Sequence, residues 1–360
     1  MSDPRPPSTG PARFSPLREL TRTRILEFFR EKEALFWTFG FPVLLALALG
    51  SAFRSAPPEK PRLAVLGEAA AVRRVETLLG PEAHLEKLSE AEAEKSLGKG
   101  KLDLLVVAET TPPGGTVRVT YRFDPTRGDS RYARLVTENL LQRAAGRRDA
   151  LPSGESPFSR PGSRYIDFLI PGLIGLNLMG SGMWGIGYAV VEARVNKLLK
   201  RYAATPMRRA HFLLAYILSR LVLLLPEMFA LVGFGWLLFG VKVHGAILDL
   251  VVVALATSFA FAGLGLLVAA RPRTTEVVMG WMNLVMLPMW VFSGAFFSYA
   301  RFPESFQPFI RALPLTAAND AMRMIVNDGL PLVAAWSEMA VLAAWCVGGF
   351  LLALRWFRWQ

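Results

Sequence analysis

A helix that crosses roughly 30 Å of hydrocarbon needs about twenty consecutive, mostly apolar residues. The chain offers such runs at 35–53, 166–191, 213–239, 246–270, 277–297 and 332–354. Nothing else in the sequence constrains its fold as strongly, because a run of this length and apolarity is soluble only inside a bilayer or a very large core. The residues are 52% hydrophobic and 19% charged, and the apolar ones are gathered into these blocks rather than spread at amphipathic spacing. The expected fold class is therefore an α-helical polytopic membrane protein with six transmembrane helices.

The stretches between the blocks have their own characters. Residues 1–16 are rich in Pro, Ser and Gly and too poor in apolar side chains to fold alone, which reads as a disordered N-terminus. Over 17–33, Leu17, Leu20, Ile25, Phe28 and Phe29 recur at helical spacing among Arg18, Arg22, Arg24, Arg30 and Lys32, the pattern of an amphipathic helix lying on a membrane surface. Span 35–53 carries Trp37 near its start as an interfacial aromatic. An n-region of more than thirty residues is too long for a cleaved signal peptide. Residues 54–164 mix strand-like runs (62–67, 84–88, 102–108, 116–123) with helix-like ones (68–79, 89–97, 129–145), so a small α/β domain is expected, inserted between the first two spans. Residues 166–354 then hold the remaining five spans. Within them, 298–330 is apolar but broken by Pro303, Pro308, Pro314 and Gly329, which suggests re-entrant or interfacial helices. Residues 355–360 form a tail.

Orientation follows from Lys and Arg in short connections. With the N-terminus in the cytoplasm, that side collects the N-terminal basic residues, then Arg194, Lys197, Lys200, Arg201, Arg208 and Arg209, then Arg271 and Arg273, then Arg355 and Arg358. The far side keeps Lys242, Arg301, Arg311 and Arg323. Both termini and the connection 192–212 are thus expected in the cytoplasm, and the α/β domain outside it. A connection longer than about sixty residues crosses regardless of its charge, so 54–164 does not weigh against this.

Several function classes find no material. Cys346 is the one cysteine, and His84, His211 and His244 fall in separate segments, so neither a disulfide nor a zinc site is supported. The net charge of +12 sits largely beside the spans, where it serves headgroups and topology rather than nucleic acid. Gly98-Lys99-Gly100-Lys101 lacks the spacing of a phosphate-binding loop. No internal repeat is evident, which removes one support for a secondary-transporter fold.

What remains are polar residues at membrane depth. In the second block Asn177, Ser181, Trp184 and Tyr188 share a helical face, as do Met279, Asn283, Met286, Trp290 and Ser293 in the fifth. Such stripes either line a path for an amphipathic substrate or pack helices together, with Gly175, Ser181 and Gly185 letting backbones approach. Arg220 and Glu227 lie two turns apart on one face of the third block. A charge at mid-bilayer costs about 2.5–3.5 kcal/mol on insertion scales. Arg220 is near enough to the cytoplasmic end to snorkel, whereas Glu227 beside Pro226 is expected to face inward or meet a partner. Residues 192–203 are expected to form one short helix, which Thr205-Pro206 would end.

The connection 192–212 resembles the cytoplasmic loop of ABC type-2 exporter permeases, in which an acidic residue precedes a short Leu-Lys helix and a Thr-Pro step. Here the residues are Glu192, Leu199-Lys200-Arg201-Tyr202 and Thr205-Pro206. Phe292-Ser293-Gly294-Ala295-Phe296-Phe297, Phe302-Pro303 and Leu313-Pro314-Leu315-Thr316 are similar to that family's stretch between its last two spans. The layout matches too. Asn196 stands where a glycine is expected, which bears on the helix start. The resemblance implies a non-catalytic permease half of the bacterial cytoplasmic membrane. It would export an amphipathic or hydrophobic substrate and pair with a second permease as a homodimer or heterodimer. It would couple to a separate ATPase subunit through Glu192, Arg194, Asn196, Lys197, Leu199, Lys200, Arg201, Thr205 and Pro206. ATP and Mg would be bound by that subunit, with no cofactor in this chain. The family's use of its second and fifth spans favours the two stripes as the path, and a periplasmic adaptor could meet the outside domain. The alternative from the residues alone is an ion-coupled secondary transporter with Glu227 as proton carrier.

Overall fold

The computed structural model describes residues 16–53, 60–111, 116–148, 151, 162–198 and 209–356. The expectations for 1–15, for Leu199, Lys200, Arg201, Thr205 and Pro206, and for 357–360 lie outside these residues. The chain divides into two compact units, one comprising 1–55 with 159–360 and the other 56–158.

The smaller unit is built on a four-stranded sheet of β1 (Arg62–Gly67), β2 (His84–Leu85), β3 (Leu104–Thr111) and β4 (Thr116–Arg122), in the order β2-β1-β3-β4. β1 runs parallel to β2 and β3, while β3 and β4 are antiparallel, with Leu63 opposite Leu104 and Leu105 opposite Arg122. Strand alternation sends Leu104, Val106 and Ala108 to one face, against Ala71, Val75 and Leu79 of the helix Ala69–Leu79 and Ala133 and Leu141 of the helix Gly128–Ala144. Leu105 and Ala64 go to the other face, against Ala93 of the helix Glu90–Gly98. Helices on both faces explain why β1 and β3 read as nearly continuous apolar runs. Asp103, just before β3, accepts from the Arg62 backbone at 3.0 Å and from its guanidinium at 3.2 Å, which ties β1 to β3. Ser89 and Glu92 form a capping box at the start of their helix, in which Glu92 accepts from the Ser89 hydroxyl at 2.7 Å and from its backbone N–H at 3.1 Å, and these bonds hold the Glu92 carboxyl below the usual range.

Among the described residues the larger unit contains six helices long and apolar enough to cross a membrane: Lys32–Ala52, Tyr165–Val195, Leu214–Phe239, Ile247–Ala269, Thr275–Phe292 and Leu332–Trp356. We call them the first to sixth spans. The second and fourth are the most enclosed and form the centre of the unit. Small residues permit that enclosure. A Cβ on Gly182 would press on Phe261, and one on Gly187 would press on the Gly265 carbonyl, so the second and fourth spans meet backbone to backbone. The fourth and sixth meet likewise at Gly263 and Gly349, where a Cβ on Gly349 would come within 2.9 Å of the Gly263 carbonyl carbon.

The local structure departs in detail from the expected pattern at three places. The helix Pro16–Arg30 turns Leu17, Leu20, Ile25 and Phe28 inward but leaves Phe29 half exposed; it packs along the third span, and Arg24 covers the Tyr216 ring at 4.3 Å. The fifth span ends at Phe292, short of 297, because Ser293 is its C-cap and Gly294 takes a left-handed φ of 74°. The helix expected over 192–203 is interrupted: Ala189–Val195 ends at Asn196, and Lys197 adopts a φ of 57°.

Beyond the fifth span the chain forms the short helix Gln307–Arg311 and the helix Pro314–Val326, which begins on a proline that needs no N–H partner there. Arg323 on the latter lies 3.7 Å from the Phe168 ring centroid. It donates to the Phe168 carbonyl at 3.3 Å and to the Gly294 carbonyl, and its third partner is Asp320. Arg323 thereby ties the helix Pro314–Val326 to the start of the second span and to the turn that follows the fifth.

Gly349→Val is expected to lower the melting temperature of the detergent-purified chain, reflecting the roughly 1–3 kcal/mol that overpacking costs. Gly348→Ala is the control, since a Cβ there meets nothing within 4 Å and should leave the melt unchanged.

Candidate functional site

Among the described residues, two turns within the spans widen to π-helical geometry. Phe36–Gly40 in the first span and Met183–Tyr188 in the second are π-helical. Such a turn carries one extra residue, which rotates the side chains beyond it and loosens the carbonyl ladder. Both border the same space. A cavity of about 510 Å³ lies among the first, second, third and fifth spans, with Trp37 and Thr38 from one π turn and Trp184 from the other in its wall. Its volume lies within the roughly 300–1,000 Å³ of small-molecule pockets.

The cavity draws on both stripes read from the sequence. Asn177, Ser181 and Trp184 line it from the second span, and Met286 and Trp290 from the fifth. The first span adds Phe41, Pro42 and Leu45, and Phe296 follows the fifth. The other stripe residues lie elsewhere. Tyr188 is half-buried and stacks obliquely on Trp184 at 5.9 Å. Met279 and Asn283 are exposed on the outer face of the fifth span. Ser293 lies past the helix end and is fully buried, and its carbonyl accepts from Asn319 at 3.3 Å.

Polar groups at the wall are partly committed. Asn177 donates to the Thr38 carbonyl at 3.1 Å, closing a hydrogen bond between the second span and the π turn of the first. Ser181 donates to Glu227 Oε2 at 2.8 Å. The other carboxylate oxygen of Glu227 is 3.5 Å from Arg220 Nη1, and Glu227 is only 2% exposed. The expectation that Arg220 snorkels to the surface is therefore corrected. It turns into the unit, because Glu227 stands two turns on along the same face and Gly185 leaves room opposite: a Cβ there would overlap the guanidinium. Arg220 also lines the cavity and lies 5.5 Å from the Phe28 ring centroid. The link between Ser181 and Glu227 was not visible in the sequence, where one sat in a stripe and the other was an isolated charge.

The connection after the second span is described only at its start. Glu192, Asn196 and Lys197 are exposed there. Arg194 is not directed outward: it donates to the carbonyls of Ala269 at 3.1 Å and Pro272 at 2.7 Å, so it fastens the connection between the fourth and fifth spans. A cation on the last carbonyls of the fourth span also suits the negative end of that helix.

Comparison with known proteins gives a consistent picture. The model of a family described as "ABC-2 family transporter protein" matches residues 32–355. The ABC transporter G family member 20 of Dictyostelium discoideum is 27% identical over 192 residues, which is 53% of this chain and 26% of that protein. Nodulation protein J of Rhizobium meliloti is 36% identical over 107 residues, which is 30% of this chain and 40% of that protein. The chain thus spans less than half the length of the curated relatives it matches.

The Arg220–Glu227 pair makes a stability prediction. Removing one member of a buried pair leaves an uncompensated charge and costs roughly 3–5 kcal/mol, whereas replacing both by apolar groups can be close to neutral. Arg220→Met and Glu227→Met are each expected to depress the melting temperature sharply, and the double variant to recover most of the loss. Additive losses would contradict the pairing.

Proposed function

We propose that this chain, which belongs to the ABC-2 family of transporter proteins, is the membrane permease of an ATP-driven exporter. It contributes no chemistry of its own. A separate ABC ATPase subunit binds the connection 192–212, and two permeases, identical or paired with a second kind, enclose the path. Substrate is an amphipathic or hydrophobic molecule taken from the cytoplasm or the inner leaflet. The termini and that connection lie on the cytoplasmic side of a bacterial inner membrane, and the α/β unit lies outside.

The observation that carries this reading is the cavity. It is bordered by the second and fifth spans, combines aromatic and aliphatic walls with a few polar groups, and is flanked by two π turns. Met286 adapts to varied apolar surfaces, and Trp184 and Trp290 offer broad flat ones. Exposed Glu192, Asn196 and Lys197 suit a contact with the ATPase subunit. Arg194 contributes by holding the second connection, around Arg271–Glu276, beside the first. The ion-coupled alternative is disfavoured, because Glu227 is engaged by both Arg220 and Ser181 rather than free to carry a proton.

Two outcomes test the proposal in proteoliposomes containing the chain and its ATPase subunit. Trp290→Ala should weaken stimulation of ATP hydrolysis by a transported compound roughly tenfold, the loss of one aromatic anchor. Glu192→Ala should abolish that stimulation while normal amounts of chain still insert. Unchanged stimulation in both variants would count against the cavity and the connection respectively.

A further inference from the structure

The helix Pro16–Arg30 and the third span border a groove of about 550 Å³, separate from the cavity. Leu17 and Ile25 from the helix and Leu218 and Val222 from the span make its walls apolar. Arg18 and Arg22, both exposed, are its charged groups among the described residues. Thr21 also borders it, but the Thr21 hydroxyl donates to the Leu17 carbonyl at 2.8 Å and is already spent.

Polarity changes along the groove. Arg24 covers the Tyr216 ring and Arg220 lies over the Phe28 ring, so helix and span each advance four residues between the two contacts and run in the same sense. Arg18 and Arg22 therefore lie toward the start of the span. Leu218 and Val222 lie four and eight residues beyond Leu214, roughly 6 and 12 Å into the span at 1.5 Å per residue. The apolar wall continues inward from there. Leu225 and Phe229 follow Leu218 and Val222 at helical spacing, and all four are exposed. The charge at the other end is available. Arg22 Nη1 is 4.0 Å from Glu19 Oε2 with both side chains exposed, a pair that contributes little in solvent, and Glu19 does not line the groove. Arg18 and Arg22 stand one turn apart on one helix face, close enough for both guanidinium groups to reach one phosphate.

We infer that this groove seats an anionic phospholipid, its phosphate held between Arg18 and Arg22 and one acyl chain lying along Leu218, Val222, Leu225 and Phe229. A soluble anion would leave the apolar wall uncovered, and a zwitterionic phospholipid would bring its own cation to the arginines. A net-negative headgroup on a hydrocarbon chain meets both ends of the groove. Its direction fits as well, with the head at the start of the span and the tail toward the membrane interior. The lipid fills the angle between helix and span and so holds in place the helix whose Phe28 lines the cavity. The site is independent of whether the cavity is a substrate path.

The test uses the full-length chain in phosphatidylcholine nanodiscs. A fluorophore on Leu225→Cys, in a Cys346→Ala background, is quenched by phosphatidylglycerol or phosphatidylcholine carrying a doxyl group on one acyl chain. Phosphatidylglycerol should quench at a roughly thirtyfold lower mole fraction than phosphatidylcholine, the equivalent of about 1 kcal/mol for each arginine. Arg18→Gln with Arg22→Gln should bring the two lipids together. Both positions are exposed, so this variant is expected to insert and melt as its parent does. Arg271→Gln with Arg273→Gln removes the same charge from another exposed connection and should keep the preference. Equal quenching by the two lipids in the parent overturns the site. A preference that survives the loss of Arg18 and Arg22 overturns it too, and one lost equally in both paired variants replaces it with the overall charge of the chain.

Discussion

A polar group held at membrane depth must find its partner inside the protein, and the larger unit is arranged around meeting that demand. Arg220 and Glu227 are the sharpest case. Neither is tolerable alone, and together with Ser181 they bind the third span to the second at the level where the second loosens into a π turn. Arg323 meets the same demand at the other end. It gathers the carbonyls of Phe168 and Gly294 and so joins the start of the second span, the end of the fifth and the helix Pro314–Val326. Arg194 repeats the arrangement on the fourth span's last carbonyls. Each arginine therefore joins elements that apolar packing would leave free to slide.

These same bonds shape the candidate site. The π turn in the first span presents the Thr38 carbonyl to Asn177, and the turn in the second makes room for Arg220 at Gly185. Between them a space stays open instead of closing into helix packing. The two stripes are divided between open space and helix contacts. Trp184, Met286 and Trp290 border open space, Asn177 and Ser181 border it while also bonding across spans, and Ser293 is wholly packed.

How much of this could be read from the sequence depends on the range of the interaction. The six spans were legible because length and apolarity are properties of a contiguous run, and the strands of the smaller unit because alternation is local. Span ends were less legible, since they turn on single residues: Gly294 stops the fifth span and Asn196 the second, whatever the hydropathy around them. The stripes were drawn at α-helical spacing, and the π turn at Met183–Tyr188 carries Tyr188 off the line that Asn177, Ser181 and Trp184 keep. Arg220 was misplaced for a related reason. Snorkelling is the local solution for an arginine near a span end, and only the fold shows that Gly185 and Glu227 provide a better one.

The central claim is that the space between the first, second and fifth spans is a passage and not a packing defect. Cys346 is the one native cysteine, so Cys346→Ala leaves a background in which a single thiol can be placed at position 177. The most direct measurement is the rate at which Asn177→Cys in that background reacts with a small membrane-impermeant thiol reagent in oriented vesicles, with and without a transported compound. The account predicts reaction from one face of the membrane and a clear slowing when the compound is present. A thiol that reacts from neither face, or at the same rate with the compound as without it, would contradict it.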